Sequence, residues 1–117
     1  MICVGATTRN DTIDKKSNWG KPYVHVMAPG FDILSTIPNN SYKSNSGTSI
    51  ACPMVSGLAA LLMTMRADLP PLKVKALIEQ NVQRKAQYTN FVTSGGLIDV
   101  ERTILALKKG IDYCIVF

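Results

Sequence analysis

Apolar and polar residues fall into blocks along this chain, and the blocks predict a mixed order of strands and helices. Ile2 to Ala6 is a continuous apolar run without charge, as expected of a strand buried on both faces of a parallel sheet. Thr7 to Lys21 is polar, carries most of the local charge and reads as a surface loop. Val24 to Ala28 is a second strand, ended by Pro29-Gly30. Ile33 to Thr36 is a short extended piece. Pro38-Asn39-Asn40-Ser41 is a turn cluster, and Tyr42 to Ser46 is a polar lead into the next element.

The helical part begins at Ser49. From there to Met65 the chain is free of charge and apolar nearly all round, so this helix is expected to be buried on most sides. Pro53, Gly57 and Ala60 form a strip of small residues that permits close approach, while Leu58, Leu61, Leu62 and Met65 supply bulk. Pro53 is expected in the first turn, where a missing N–H costs nothing. Ala67-Asp68-Leu69-Pro70-Pro71 breaks the helix. A second helix is predicted from Pro71 to Val82, with Leu72, Ala76 and Leu77 toward the core. Tyr88 to Gly96 is irregular, with room for a short strand pair. Asp99 is a suitable N-cap for a third helix from Val100 to Lys108. No internal repeat or second domain interrupts residues 1–117.

Composition narrows the class. The chain has 117 residues, 46% hydrophobic and 18% charged, which is a globular and not a disordered balance. The formal charge is +5. The basic residues are nevertheless dispersed (Arg9, Lys15, Lys16, Lys43 and Lys73 among them), and no basic cluster is interleaved with aromatics. A nucleic-acid partner is therefore not expected. The charge-free stretch from Ile50 to Met65 is shorter than the roughly 18–20 residues a bilayer needs, and it contains Pro53 and Gly57, so a core helix is expected and no membrane span. Met1 to Val4 has neither the basic flank nor the cleavage site of a secretory signal, which leaves the compartment unknown. Cys3, Cys52 and Cys114 have no metal-type spacing. Cys3 and Cys52 read as small buried residues; the alternative for Cys52 is a reactive thiol near a helix N-terminus. Disulfide pairing stays open.

The candidate chemistry lies between Asn45 and Leu62. Gly47-Thr48 delivers Ser49 directly into the long helix. A hydroxyl there sits at the positive end of the helix dipole, beside backbone N–H groups that lack intrahelical partners. Those groups can stabilise an oxyanion that forms one bond away. The competing reading is an ordinary N-capping serine.

Gly47-Thr48-Ser49-Ile50-Ala51-Cys52-Pro53-Met54-Val55-Ser56-Gly57 resembles the serine box of the subtilisin-like serine proteases, or subtilases, which reads Gly-Thr-Ser-Met-Ala-x-Pro-His-Val-x-Gly. Ile50 replaces the usual Met and Met54 the usual His. Ile2-Cys3-Val4-Gly5-Ala6-Thr7 is similar to the family's buried strand ending Val-Gly-Ala. Ser17-Asn18-Trp19-Gly20 is similar to its Ser-x-x-Gly turn. Val26-Met27-Ala28-Pro29-Gly30-Phe31-Asp32-Ile33-Leu34-Ser35-Thr36 matches its Ala-Pro-Gly-x-x-Ile-x-Ser-Thr segment. Gly96-Leu97-Ile98-Asp99-Val100 resembles the segment before its final helix. The resemblance runs from Ile2 to about Leu107.

The resemblance implies an α/β chain, the C-terminal part of a subtilisin-like parallel-sheet three-layer fold. It implies a serine endopeptidase that cleaves protein or peptide substrates through an acyl-enzyme. Ser49 would be the nucleophile, and the Ser49 N–H, supported by Thr48, would bind the oxyanion. In this family the triad runs Asp, His, Ser along the chain, yet no His-Gly-Thr box precedes Ser49, and neither the Asp nor the oxyanion Asn is found. His25, the only histidine, lies in Tyr23-Val24-His25-Val26 without the Gly-Thr neighbours and reads as structural. Asp14, Asp32 and Asp99 read as loop or cap residues. Residues 1–117 are therefore expected to be a C-terminal fragment of one subtilase catalytic domain, partnered by the missing N-terminal part and inactive alone. The alternatives are a non-catalytic subtilase-like binding module, or a different hydrolase that uses Ser49 with another base. No cofactor or metal ligand is identifiable; the resemblance makes calcium a candidate for the larger domain. It also implies secretion or residence in the secretory pathway.

Overall fold

A computed structural model describes residues 1–115, with side chains described as far as Gly110. The expected α/β architecture is present. Strands β1 (Val4–Thr7) and β2 (Val26–Pro29) pair in parallel, with Val4 opposite Val26 and Ala6 opposite Ala28. A two-residue strand β6 (Gly96–Leu97) continues the sheet in parallel beside β2, and β5 (Gln83–Arg84) closes it antiparallel to β6. The short strand pair expected within Tyr88 to Gly96 is corrected: the paired strands flank that segment, Gln83–Arg84 before it and Gly96–Leu97 at its end.

Side-chain alternation in β2 divides the core. Val26 and Ala28 face one side, where Val4 and Ala6 join Ala51, Val55, Leu58 and Leu62 of helix α1 (Thr48–Met65). Val74 and Ile78 of α2 (Pro71–Gln80) and Leu107 of α3 (Val100–Ile115) complete that layer. Met27 faces the other side, with Val24, Tyr88 and Val92. The second layer is therefore the irregular 86–95 segment, and all three helices lie on the first face. Each fully buried Leu or Ile here contributes roughly 1.5–3 kcal/mol relative to exposure.

Three further sequence expectations are corrected. Leu72 is 81% exposed; Val74 and Ile78 hold the core positions of α2, with Leu77 partly buried against them. The helix ends at Gln80 with Asn81 as its C-cap, short of the expected end at Val82. The polar stretch Ser41–Asn45 is a strand, β4, that pairs antiparallel with β3 (Ile33–Ile37) in an exposed hairpin. Asn39 and Asn40 turn that hairpin with φ of 67° and 52°, the left-handed region that Asn tolerates.

The third correction concerns α1. Only Ala51, Val55, Leu58 and Leu62 are buried, at a spacing that gives one face. Leu61 and Met63 on other faces are 41% and 48% exposed, and Cys52 is exposed too, so Cys52 is not a core residue of this chain. Cys3 is partly buried; the side chain of Cys114 lies outside the described residues. The helix has 18 residues of mean hydropathy 1.6, long and apolar enough to cross a membrane by length and composition alone, but its buried stripe packs onto the sheet. Pro53 lies in the second turn. It has no N–H to give the Ser49 carbonyl four residues back, so its place there is not cost-free.

The loop between β1 and β2 is less superficial than its polarity suggests. Asp14 and Ser17 are buried, and both bond to the middle of β1: the Asp14 N–H donates to the Ala6 carbonyl at 2.9 Å, and the Ala6 N–H donates to Ser17 Oγ at 2.8 Å.

Candidate active site

Two backbone contacts place the turn that carries Ser49. The Gly30 N–H donates to the Thr7 carbonyl at 3.1 Å, and the Gly47 N–H donates to the Gly30 carbonyl at 2.8 Å. The turn is therefore fastened to the carboxyl ends of β1 and β2, the end where open parallel sheets carry their sites. Gly30 makes the approach possible. A Cβ on it would lie 2.7 Å from Ala6 Cβ, 2.8 Å from the Gly47 carbonyl oxygen and 2.9 Å from Ala51 Cβ.

Gly47 is the N-cap of α1, with φ of 141°. No atom lies within 4 Å of where its Cβ would be, so conformation, not crowding, calls for glycine there. The Ile50 and Ala51 N–H groups both reach back to the Gly47 carbonyl, at 3.0 and 3.2 Å. The N–H groups of Thr48 and Ser49 come before them and have no intrahelical acceptor. No side chain caps this end, and the first turn holds no acidic residue, so the positive end of the dipole is uncompensated.

Ser49 is exposed in that first turn, and its hydroxyl makes no hydrogen bond among the described residues. An N-capping serine would spend its hydroxyl on a backbone N–H; this one does not. Thr48 is half-buried, and its Oγ1 accepts from the Asn18 side-chain amide at 3.3 Å. Asn18 and Gly30 are the two residues at this site whose roles sequence reasoning missed. The only signal for either was membership of the Ser-x-x-Gly and Ala-Pro-Gly segments.

The remaining candidates lie elsewhere. His25 sits just before β2, at the end of the sheet opposite Ser49. Its Nδ1 accepts the Cys3 N–H at 2.9 Å, and its Nε2 lies 3.1 Å from Lys75 Nζ. Asp99 caps α3: the Arg102 N–H donates to its Oδ1 at 2.9 Å. That backbone bond, with a second from Gln83 Nε2, holds its carboxyl below the usual carboxylate range. Asp32 pairs with Arg9 at 3.0 Å on the surface. Asp14 accepts the Lys16 N–H. Tyr88 is fully buried and donates its hydroxyl to the Asp11 carbonyl. Burial first, and the Asp11 charge second, push its pKa up to about 12.

A depression of about 510 Å³ opens at the ends of β1 and β2, lined by Thr7, Arg9, Phe31 and Asp32 among others, but it does not reach Ser49. Among the described residues, no three His, Cys, Asp or Glu side chains come together to hold a metal ion. The site consists of a free serine hydroxyl, two unpaired N–H groups and a supported threonine hydroxyl. That set can hold an oxyanion and supply a nucleophile, and it contains no base.

The family model described as "Subtilase family" matches residues 1–97. The chain is 35% identical over 91 residues to Subtilisin-like protease 3 of Plasmodium falciparum (isolate 3D7), covering 78% of this chain and 12% of that protein. It is 43% identical over 84 residues to a thermophilic serine proteinase of Bacillus sp. (strain AK1), covering 72% of this chain and 20% of that one. The chain thus spans a fifth or less of the length of these curated relatives. Among solved structures, the prenylagaramide maturation protease PagA superposes with a TM-score of 0.79 at 32% identity, covering 92% of this chain and 42% of that chain. The subtilase cytotoxin SubAB assembly superposes at 0.83 and 23% identity, covering 93% of this chain and 37% of that one, a likeness of fold.

Proposed function

We propose, for a chain that belongs to the subtilase family, that it is the nucleophile-bearing C-terminal part of a serine endopeptidase domain. Ser49 Oγ attacks the scissile carbonyl of a protein or peptide substrate and forms an acyl-enzyme. A histidine in the upstream part of the domain takes its proton, and an aspartate there holds that histidine in the required tautomer. The Ser49 N–H donates to the tetrahedral oxyanion, with the Thr48 hydroxyl beside it.

The observation that carries this reading is the state of Ser49. It is exposed in the first turn of a helix, with an unspent hydroxyl and an unpaired N–H next to each other. Among the described residues no base or carboxylate is bonded to Ser49, so on this reading the isolated chain is inactive and needs the upstream part of the domain. Secretion, or residence in the secretory pathway, belongs to the same proposal.

The test is active-site labelling. The chain joined to its upstream sequence should react stoichiometrically with a fluorophosphonate probe at Ser49, and Ser49→Ala should abolish both labelling and peptide hydrolysis. A complete domain that folds, binds peptide and takes no label would identify a non-catalytic binding module instead.

A further inference from the structure

The loop between β1 and β2 brings Asn18 to the start of α1. Its amide Nδ2–H donates to Thr48 Oγ1 across a separation of 30 residues. Although exposed, Asn18 is anchored from both sides. Ser17 Oγ accepts the Ala6 N–H from β1 and donates to the Asn18 carbonyl, both at 2.8 Å. Beyond it, the Gly20 N–H donates to the Phe91 carbonyl at 2.9 Å, and the Trp19 ring meets the Phe91 ring edge-on at 5.8 Å.

The direction of the Asn18 bond matters. A threonine hydroxyl has one hydrogen to give and two sites that accept. Accepting from Asn18 fills one site and keeps the hydroxyl hydrogen from pointing back along that bond. No other described residue takes the hydrogen, and Thr48 immediately precedes Ser49 in the first turn of α1. We propose that Asn18 is a positioning residue for catalysis: its amide turns the Thr48 hydroxyl into a preset donor to the oxyanion that forms at Ser49. This rests on the reading of Ser49 as the nucleophile. A preset donor lowers the barrier because it needs no reorientation as charge develops. It does little for substrate binding, so its effect falls on kcat.

The test uses the complete protease domain and a fluorogenic peptide, comparing Asn18→Ala, Asn18→Asp, Thr48→Val, the double variant Asn18→Ala/Thr48→Val, and Ser49→Ala. Asn18→Ala should lower kcat by about tenfold, with KM changed by less than about twofold. The double variant should be no slower than Thr48→Val, because Asn18 acts only through that hydroxyl. Asn18→Asp keeps the size but offers only acceptors, draws the Thr48 hydrogen to itself, and should lose at least as much kcat as Asn18→Ala. Should Asn18→Ala not fold, this near-isosteric variant carries the test. An Asn18→Ala effect of equal size with and without the Thr48 hydroxyl would overturn the proposal, as would an unchanged kcat. If Ser49→Ala keeps its turnover, the nucleophile assignment itself has failed, a result that reads independently of the Asn18 variants.

Discussion

The Gly47 N–H donates to the Gly30 carbonyl at 2.8 Å, and this one bond joins the turn that presents Ser49 to the end of β2. The two glycines serve it differently. Gly30 is enclosed by Ala6, Gly47 and Ala51, whereas Gly47 faces open space with φ of 141°.

That difference gives a graded mutational series. Gly30→Ala should destabilise the complete domain by about 1–3 kcal/mol through overpacking. It should also impair turnover, because the atoms it displaces carry the start of α1. Gly47→Ala meets no neighbour but pays backbone strain, again about 1–3 kcal/mol. Gly57 lies inside α1 with nothing within 4 Å of its Cβ position. In the isolated chain, Gly57→Ala should stabilise the helix by roughly 0.5–1 kcal/mol. Urea melts of each variant against its own parent check the signs, two losses and one gain; a Gly30→Ala protein as stable as its parent would mean that the close approach at Gly30 is not required.

Ser49→Ala should leave stability within about 0.5 kcal/mol, since an exposed hydroxyl without a partner contributes little. In the complete domain it should abolish turnover. The isolated chain should take no fluorophosphonate label with or without the substitution, because no base among the described residues is bonded to Ser49. Labelling of the isolated chain at Ser49 would point to a base within these 117 residues.

The outward face of α1 should make the isolated chain associate. Met54, Leu61 and Met63 are all substantially exposed on a helix without charge, and such a face favours self-contact. Light scattering should show oligomers that Leu61→Lys with Met63→Lys reduces. Cys52, on the flank of α1 that carries Met63, should react with a maleimide in the isolated chain and be protected in the complete domain. Equal reactivity in both would mean that the rest of the domain does not cover α1.

Tyr88 and Asp99 predict opposite pH limits. Tyr88 has a folded pKa of about 12 against an ordinary value of 10.0. Its contribution is whole below the ordinary value and is lost as pH rises from there toward the folded value. Asp99 has a lowered folded pKa, so its contribution is present above the ordinary carboxylate value and fades as pH falls through the lowered one. In the complete domain, Tyr88→Phe should flatten the alkaline limb of stability against pH. Asp99→Ala should flatten the acid limb and cost about 1 kcal/mol at neutral pH through the lost cap. Denaturant midpoints across the pH range read both, and an unchanged alkaline limb in Tyr88→Phe would show that another group sets it.

By itself the sequence determined the features that depend on neighbours along the chain. The apolar runs placed β1 and β2, the Gly47-Thr48-Ser49 entry placed the start of α1, and Asp99 declared itself a cap, because strand burial, helix initiation and capping are local chemistry. The same run carried the family resemblance. Tertiary structure decided whatever depends on what lies opposite. Ser41–Asn45 has no apolar alternation and is a strand only because β3 pairs with it. Leu72 and Ile78 are both strongly apolar, and only the packing of α2 against α1 and α3 selects Ile78. The outward face of α1 reads as core in sequence because it is as apolar as the buried stripe, and only its position away from the sheet leaves Leu61 and Met63 exposed. Asn18 reaches Thr48 because Ser17 is tied to β1, a link that exists only once the strands have formed.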